Sequence, residues 1–243
     1  GADIITASAG TSNFRAGVNA GNSIASGGTF NVAVGDESGT AITTGDHNVA
    51  VGYESLKTED AHGHNTAVGS QALKTLNAGA DGKNTAVGAF AGKLMTEGVQ
   101  NTLIGGLAGD ALTHADFNTV VGYQALSADT FGHRSTAIGY SALNAQNFAS
   151  STNSNNTAVG YHSGLSVSTG IRNTIIGSEA GDALTDADDN VAIGALALSA
   201  DRKGNKATAI GRGALKVQDF SSSTDSNNTA VGYSAGESVT TGQ

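Results

Sequence analysis

The chain has 243 residues, a net charge of −9 and only 12 Lys and Arg residues, which argues against nucleic acids and anionic membrane surfaces as partners. Only 14% of the residues are charged and 38% are apolar, which is not the composition of a disordered chain. No run approaches the roughly 20 apolar residues of a membrane-spanning helix, so we expect no membrane insertion in this segment.

A five-residue motif, Asn-Thr-Ala-Val-Gly or a close variant, recurs twelve times after a lead-in at residues 1–12. Its glycines follow one another at a nearly constant step, and a degenerate thirteenth copy lies at residues 13–17. A period of about 17 residues fits one coil of a β-solenoid. We therefore predict an all-β fold: a parallel β-solenoid of about 13 coils, forming a single domain over residues 13–243 that continues beyond Gln243. The repeat-defining residues include Asn65, Asn84, Asn101, Asn156, Asn173, Asn228, Gly69, Gly88, Gly105, Gly160, Gly177 and Gly232.

The motif predicts a short strand with two different faces. Its second residue is Thr or Val, its third is usually Ala, its fourth is Val or Ile, and its fifth is Gly. Because side chains alternate along a strand, positions two and four share one face. We expect this β-branched face to point into the coil and the Ala column to lie on the opposite side. The Asn is expected to bond nearby backbone or to form an amide ladder between coils, and the Gly to supply a positive φ.

A larger unit of four coils is visible after each strand. The residue four positions past each motif glycine, here called the corner residue, is Gly or Leu, in the repeating order Gly, Leu, Leu, Gly. This order begins at Gly39 and starts again at Gly109 and at Gly181. Residues 144–155 and 216–227 form two extended loops that are related by this repeat, and each loop contains a Phe.

The small size of the apolar residues suggests that one chain does not suffice. Ordering each residue costs about 1–2 kcal/mol of backbone entropy, and a coil with a few small or medium side chains buries little apolar area in return. We therefore predict a homo-oligomer. The Ala column, together with a Ser/Ala column three residues past each motif glycine, is expected to pack closely against another chain.

The motif resembles the head repeat of trimeric autotransporter adhesins, the YadA-like head, whose phrase is Asn-Ser-Val-Ala-Ile-Gly-x-x-Ser. Aligned on Gly160, the family's Ile falls on Val159, its Ala on Ala158 and its second Ser on Ser163. The resemblance covers residues 13–243, although these coils are longer than the usual head repeat. It implies a left-handed parallel β-roll, a homotrimeric rod and an extracellular adhesive role. Similar arrays also occur in phage tail fibres.

Two sets of residues are candidate surface contacts. Five tyrosines directly follow the motif glycine, at a position that tolerates many residue types and is therefore expected to be exposed. Exposed Tyr can stack on a sugar or anchor a protein; alternatively, each ring covers its neighbours along the coil. The extended loops are the second set, because insertions in solenoids often form the binding face; alternatively, each loop is solvated with its Phe tucked under. The candidates are Tyr53, Tyr123, Tyr140, Tyr161, Tyr233, Phe148 and Phe220.

Metal binding and catalysis find little support. His62-Gly63-His64 and residues 186–189 carry metal-ligand types, but neither has the ligand count of a zinc or EF-hand site, so we expect solvated turns, no metal and no cofactor. There is no Cys and no Gly-x-Ser-x-Gly elbow, and the acids occupy variable turn positions, so we predict no enzymatic activity.

The sequence thus predicts a non-enzymatic extracellular fibre, on a cell surface or a virion. The favoured function is an adhesin-head-like rod that attaches to surfaces or matrix through a host protein or glycan. The alternatives are a phage tail-fibre shaft and a purely structural filament. An ice-binding solenoid comes last: Thr recurs at position two, but since it shares a face with the Val or Ile we expect it to point inward.

Overall fold

A computed structural model describes residues 8–242 of the chain, so most of the predicted lead-in lies outside the described residues. The described residues contain no helix and form a β-solenoid of about thirteen coils, one for each copy of the motif, which confirms the predicted fold class. The coils fall into two compact units, Gly1–Phe117 and Asn118–Gln243, with six coils in the first and seven in the second.

The first unit has one short strand per coil. The strands pair in parallel in chain order, each with the next, and equivalent motif positions face each other, as in Ala33–Ala50 and Ala50–Ala67. The strands are β1 Phe14–Ala16, β2 Val32–Val34, β3 Val49–Val51, β4 Thr66–Val68, β5 Thr85–Val87 and β6 Thr102–Ile104.

The second unit repeats this arrangement and adds two small sheets. The strands are β7 Thr119–Val121, β8 Gly132–His133, β9 Thr136–Ile138, β10 Thr152–Asn153, β11 Thr157–Val159, β12 Thr174–Ile176, β13 Val191–Ile193, β14 Gly204–Asn205, β15 Thr208–Ile210, β16 Thr224–Asp225 and β17 Thr229–Val231. The main sheet has the order β7-β9-β11-β12-β13-β15-β17, again parallel and in register, while β8 pairs with β10 and β14 with β16.

The strand faces are the reverse of the prediction. The position-three residue is buried in each main strand from β2 onward, whereas the residues at positions two and four are half-buried or exposed. The Ser/Ala column past the glycine is also buried nearly throughout, so neither small-residue column is available to another chain. The reason is steric. Corner leucines such as Leu56 and Leu73 have φ near +50° and are fully buried, so little more than a methyl group fits beside them.

Two large exceptions to Ala at position three, Leu103 and Ile175, both lie in coils with a glycine corner. Leu103 occupies this position in β6, and a Cβ added at corner residue Gly92 would lie 2.7 Å from its Cδ1. At Gly109, the corner of the same coil, an added Cβ would lie 3.0 Å from Leu103 Cδ2.

Ile175 is placed in the same way in the second unit. A Cβ added at corner residue Gly164 would lie 3.0 Å from its side chain, and one added at Gly181 would lie 3.3 Å from it. Leu103 and Ile175 therefore lie in coils whose corner residue is Gly, whereas the coils with a corner leucine have Ala or, in β7, the smaller Val120 at position three.

An asparagine ladder runs along the interior beside the strands. The motif asparagines are buried, except for the half-buried Asn228, and their side chains join successive coils. Asn48 Oδ1 accepts the backbone N–H of Asn65 at 3.0 Å, while Asn48 Nδ2 donates to the carbonyl of His62 at 3.0 Å. The same pair of bonds recurs at Asn173, with Asn190 N–H at 3.0 Å and the Ala187 carbonyl at 2.8 Å. Each amide thus satisfies buried backbone groups of the next coil, which fixes the register.

Candidate interaction surfaces

The first candidate surface is the outward face of the main strands, here called the Thr–Val face. It is formed by motif positions two and four, which are Thr or Val and Val or Ile, and it contains no charged residue in β2–β7 or in the later main strands. Ile138 and Ile176 are 36% and 37% exposed. The expectation that Thr points inward is therefore wrong: Thr and Val form two parallel outward columns.

The tyrosine column is exposed as predicted, and three of its five rings lie in a stack. The five tyrosines are between 46% and 74% exposed. The Tyr123 and Tyr140 centroids are 5.8 Å apart with the planes at 20°, and those of Tyr140 and Tyr161 are 5.6 Å apart at 18°. In this stack each ring covers a face of its neighbour, so mainly ring edges and hydroxyl groups remain accessible. Tyr233 is different, since Arg212 Nη1 donates to its hydroxyl at 3.3 Å.

The extended loops do not present their phenylalanines. Phe148 and Phe220 are only 5% and 6% exposed, which corrects their prediction as surface contacts. Instead, the loops fold back along the preceding coil: β10 pairs with β8, and β16 with β14. The exposed side chains of the loops are mostly polar, as at Ser150 and Ser222.

A buried polar network anchors each extended loop, and the sequence analysis did not anticipate it. Asp129 Oδ2 accepts Gln146 Nε2 at 2.6 Å, and Asp129 Oδ1 accepts the backbone N–H groups of Gly132 at 3.0 Å and Phe148 at 3.3 Å. Gln146 Oε1 in turn accepts Asn156 Nδ2 at 2.8 Å, so the network joins the asparagine ladder. Burial raises the pKa of Asp129, and its hydrogen bonds oppose that shift. Asp201 and Gln218 form the same arrangement in the next four-coil repeat.

A cluster of ion pairs around Glu54 stabilises the first unit. Lys57 Nζ and Lys74 Nζ each lie 2.7 Å from an oxygen of Glu54, and Gln71 Nε2 donates to the same carboxylate at 2.8 Å. Lys57 also pairs with Glu37. The Lys57 bond, followed by that of Lys74, lowers the pKa of Glu54 from an ordinary 4.5 to about 2.

Glu54→Gln should therefore change how stability depends on pH. Because the folded-state pKa of Glu54 is lowered, its stabilising effect is complete above pH 4.5 and is lost as the pH falls towards 2. We expect the variant to have a lower Tm than wild type at pH 7 and a difference that shrinks below pH 4.5. Thermal unfolding followed by far-UV circular dichroism measures both. The control is Glu97→Gln, at a carboxylate that is 65% exposed. If the difference in Tm between Glu54→Gln and wild type were the same at pH 2.5 as at pH 7, the lowered pKa of Glu54 would be contradicted.

The two suspected metal segments differ in the structure. In residues 186–189 the acids are paired: Asp189 with Arg172 at 2.6 Å and Asp186 with Lys203 at 3.4 Å. His64 Nδ1 lies 3.5 Å from Asp81, while His62 Nδ1 lies 3.5 Å from the buried Glu59. Among the described residues, Glu59, Asp60 and His62 are the one group whose potential metal-ligand atoms come together. Burial, with a smaller contribution from Asp60, raises the pKa of Glu59.

Sequence reasoning missed Glu59, Asp129 and Asp201, although a signal was present. Each of these acids lies three residues past the first corner leucine of its four-coil repeat. An acid that recurs at one repeat position next to buried columns indicates a shared structural role.

Residues 8–242 contain no helix with the length and hydropathy needed to cross a bilayer. Compared with protein-family models, with curated proteins and with solved structures, the chain matches none.

Proposed function

We propose that this chain forms a non-enzymatic extracellular fibre, in which three copies pack through their Thr–Val faces into a rod that attaches a cell or a virion to a surface. The observation that carries the proposal is the uncovered, uncharged Thr–Val face. The resemblance to YadA-like head repeats supports the same assembly.

A parallel sheet with one open, uncharged face of Thr, Val and Ile is an unusual surface for a monomer. Parallel sheets in soluble proteins are normally covered on both faces, and contiguous apolar patches on a protein surface commonly mark an interface. Here the inner face of each sheet is covered by the chain's own corner residues, while isoleucines such as Ile138 and Ile176 stay accessible on the outer face. Packing by identical chains would cover these columns in every coil, since the repeat places the same residue types at each level.

Attachment would use groups outside the Thr–Val face. The stacked tyrosines offer ring edges and hydroxyl groups at regular spacing, which suits hydrogen bonding to a host-surface protein or glycan more than stacking of a sugar on a ring face. Three chains would multiply weak contacts of this kind. An anchor domain elsewhere in the full-length protein would mark an adhesin, and a self-cleaving C-terminal chaperone would mark a phage tail fibre.

Ice binding is a second candidate because the threonines point outward. Columns of Thr at position two, in register on a parallel sheet, are about 4.8 Å apart from coil to coil and could order water on a flat surface. This function requires a free Thr–Val face, so it competes directly with the oligomer.

The mass of the chain in solution tests the proposal. Light scattering should give three chains for wild type, and the double variant Ile138→Lys/Ile176→Lys should be monomeric, because it buries charges in the interface. The control Ser150→Lys/Ser222→Lys adds the same charge on the extended loops and should remain trimeric. A wild type that is monomeric would overturn the assembly. If the monomeric wild type also inhibits ice recrystallisation and the isoleucine variant does not, ice binding would replace the trimeric fibre as the proposed function.

A further inference from the structure

The turn at residues 59–62 differs from its equivalents in the second unit. Asp129, the equivalent of Glu59, receives a hydrogen bond from Gln146 at 2.6 Å. The residue equivalent to this glutamine in the first unit is Leu76, which has no side-chain donor. Glu59 is nonetheless fully buried, and its carboxylate accepts only two longer bonds, from the backbone N–H groups of His62 and Ala78, both at 3.2 Å.

An imidazole takes the place of the missing amide. The residue equivalent to His62 is Gly132, where an added Cβ would lie 2.0 Å from Asp129 Oδ2, so the second unit has no room for a side chain there. In the first unit His62 Nδ1 lies 3.5 Å from Glu59 Oε1, is buried and makes no hydrogen bond. The backbone of this turn is held in place, because Asn48 Nδ2 donates to the His62 carbonyl at 3.0 Å.

The separation of these atoms suits a metal ion. With zinc–ligand bonds of about 2.0–2.1 Å, tetrahedral geometry places two ligand atoms about 3.3–3.4 Å apart. His62 Nδ1 and Glu59 Oε1 are separated by 3.5 Å, and an oxygen of Asp60 completes a group whose atoms all lie within 4.8 Å of one another. Glu59 and His62 Nδ1 are buried, whereas the His62 side chain as a whole is 30% exposed and Asp60 is half-buried, so the group lies at the boundary between the core and solvent.

We propose that Glu59, Asp60 and His62 form a zinc-binding site. The two carboxylates and the imidazole Nδ1 supply three ligands, and the fourth position is left to water or to a group from another molecule. Carboxylate and imidazole ligands are both common in zinc sites, and among the described residues no lysine or arginine pairs with Glu59. Because Glu59 is fully buried, a bound cation would compensate for the burial of this carboxylate.

Calorimetric titration of the full chain with ZnCl2, after removal of metal with EDTA and dialysis, tests the site. We expect saturable binding of one ion per chain to wild type. His62→Gly and Asp60→Asn should each weaken binding by at least about tenfold, since each removes one of three ligands. His62→Gly introduces the residue that the chain itself has at the equivalent position 132, so the fold should be kept. The matched control is His64→Gln, which changes the neighbouring exposed histidine and should bind zinc as wild type does.

Three results would overturn the site. They are no binding to wild type up to about 1 mM ZnCl2, unchanged affinity in His62→Gly, or an equal loss of affinity in His64→Gln. Thermal unfolding gives an independent measure, because a ligand that binds only the folded state raises its Tm. Zinc should raise the Tm of wild type and of His64→Gln, and it should leave that of Asp60→Asn nearly unchanged.

Discussion

Gly88→Ala should destabilise the first unit by at least about 3 kcal/mol, the combined effect of backbone strain and a collision between coils. Gly88 has φ of +138°, which a residue with a Cβ rarely adopts. An added Cβ would also lie 2.4 Å from the carbonyl oxygen of Gly105 and 2.5 Å from its carbon. Both atoms belong to the backbone of the next coil, so neither can move without breaking the ladder between β5 and β6.

The matched control is Gly79→Ala in the same unit. Gly79 is exposed, and a Cβ added there would meet nothing within 4 Å. Urea unfolding of both variants and of wild type at one protein concentration, followed by far-UV circular dichroism, measures the difference. Gly79→Ala should be within about 1 kcal/mol of wild type, since it places only a methyl group in open space. Equal stability of the two variants would mean that the coils do not approach as closely as described.

Asp129→Ala should cost about 2–4 kcal/mol, because three buried donors lose their acceptor. These donors are the side-chain amide of Gln146 and the backbone N–H groups of Gly132 and Phe148. The loss is smaller than three separate hydrogen bonds suggest, since the substitution also removes a carboxylate that burial disfavours. The extended loop at residues 144–155 should become more susceptible to proteolysis, as its Phe148 is held by the same carboxylate.

Asp219→Ala is the control for this prediction. Asp219 also accepts two hydrogen bonds, both from Arg202 at 2.9 Å, but the pair is exposed. Exposed ion pairs contribute little to stability, so this variant should unfold at nearly the same urea concentration as wild type. If both variants lost the same stability, the buried network would not anchor the loop.

The coil period and the strand positions could be predicted because they depend on spacing alone. A fixed step between motif glycines requires one coil per repeat, and β-branched residues on both sides of a small residue indicate a strand. The asparagine ladder followed from the recurrence of an amide at one position, since identical residues stack in a parallel, in-register array.

Which strand face points inward could not be read from alternation, because both faces are apolar. The volume of the side chains determines which face points inward. Buried corner residues such as Leu56 and Leu73 occupy the interior and leave space only for Ala, so the larger Val and Ile lie outside. For the loop phenylalanines, the alternative that each Phe is tucked under is the correct one, and the sequence left both alternatives open for a related reason. Phe148 lies in a stretch rich in Ser and Asn, and its cover depends on Asp129, which is far away in sequence but belongs to the preceding coil. The Glu59–His62 contact likewise depends on side-chain geometry within a turn.

The separation of large strand residues from large corner residues makes four coils the unit of growth for this chain. Removing the coil of Gly92 would place corner residue Leu73 directly next to Leu103, whereas removing or duplicating a whole four-coil block, such as the stretch from Thr157 to Asn228, restores the same neighbours at the junction. Four coils span about 19 Å at about 4.8 Å each. The length of such a protein can therefore change by whole blocks through recombination within its own gene, without any new packing solution.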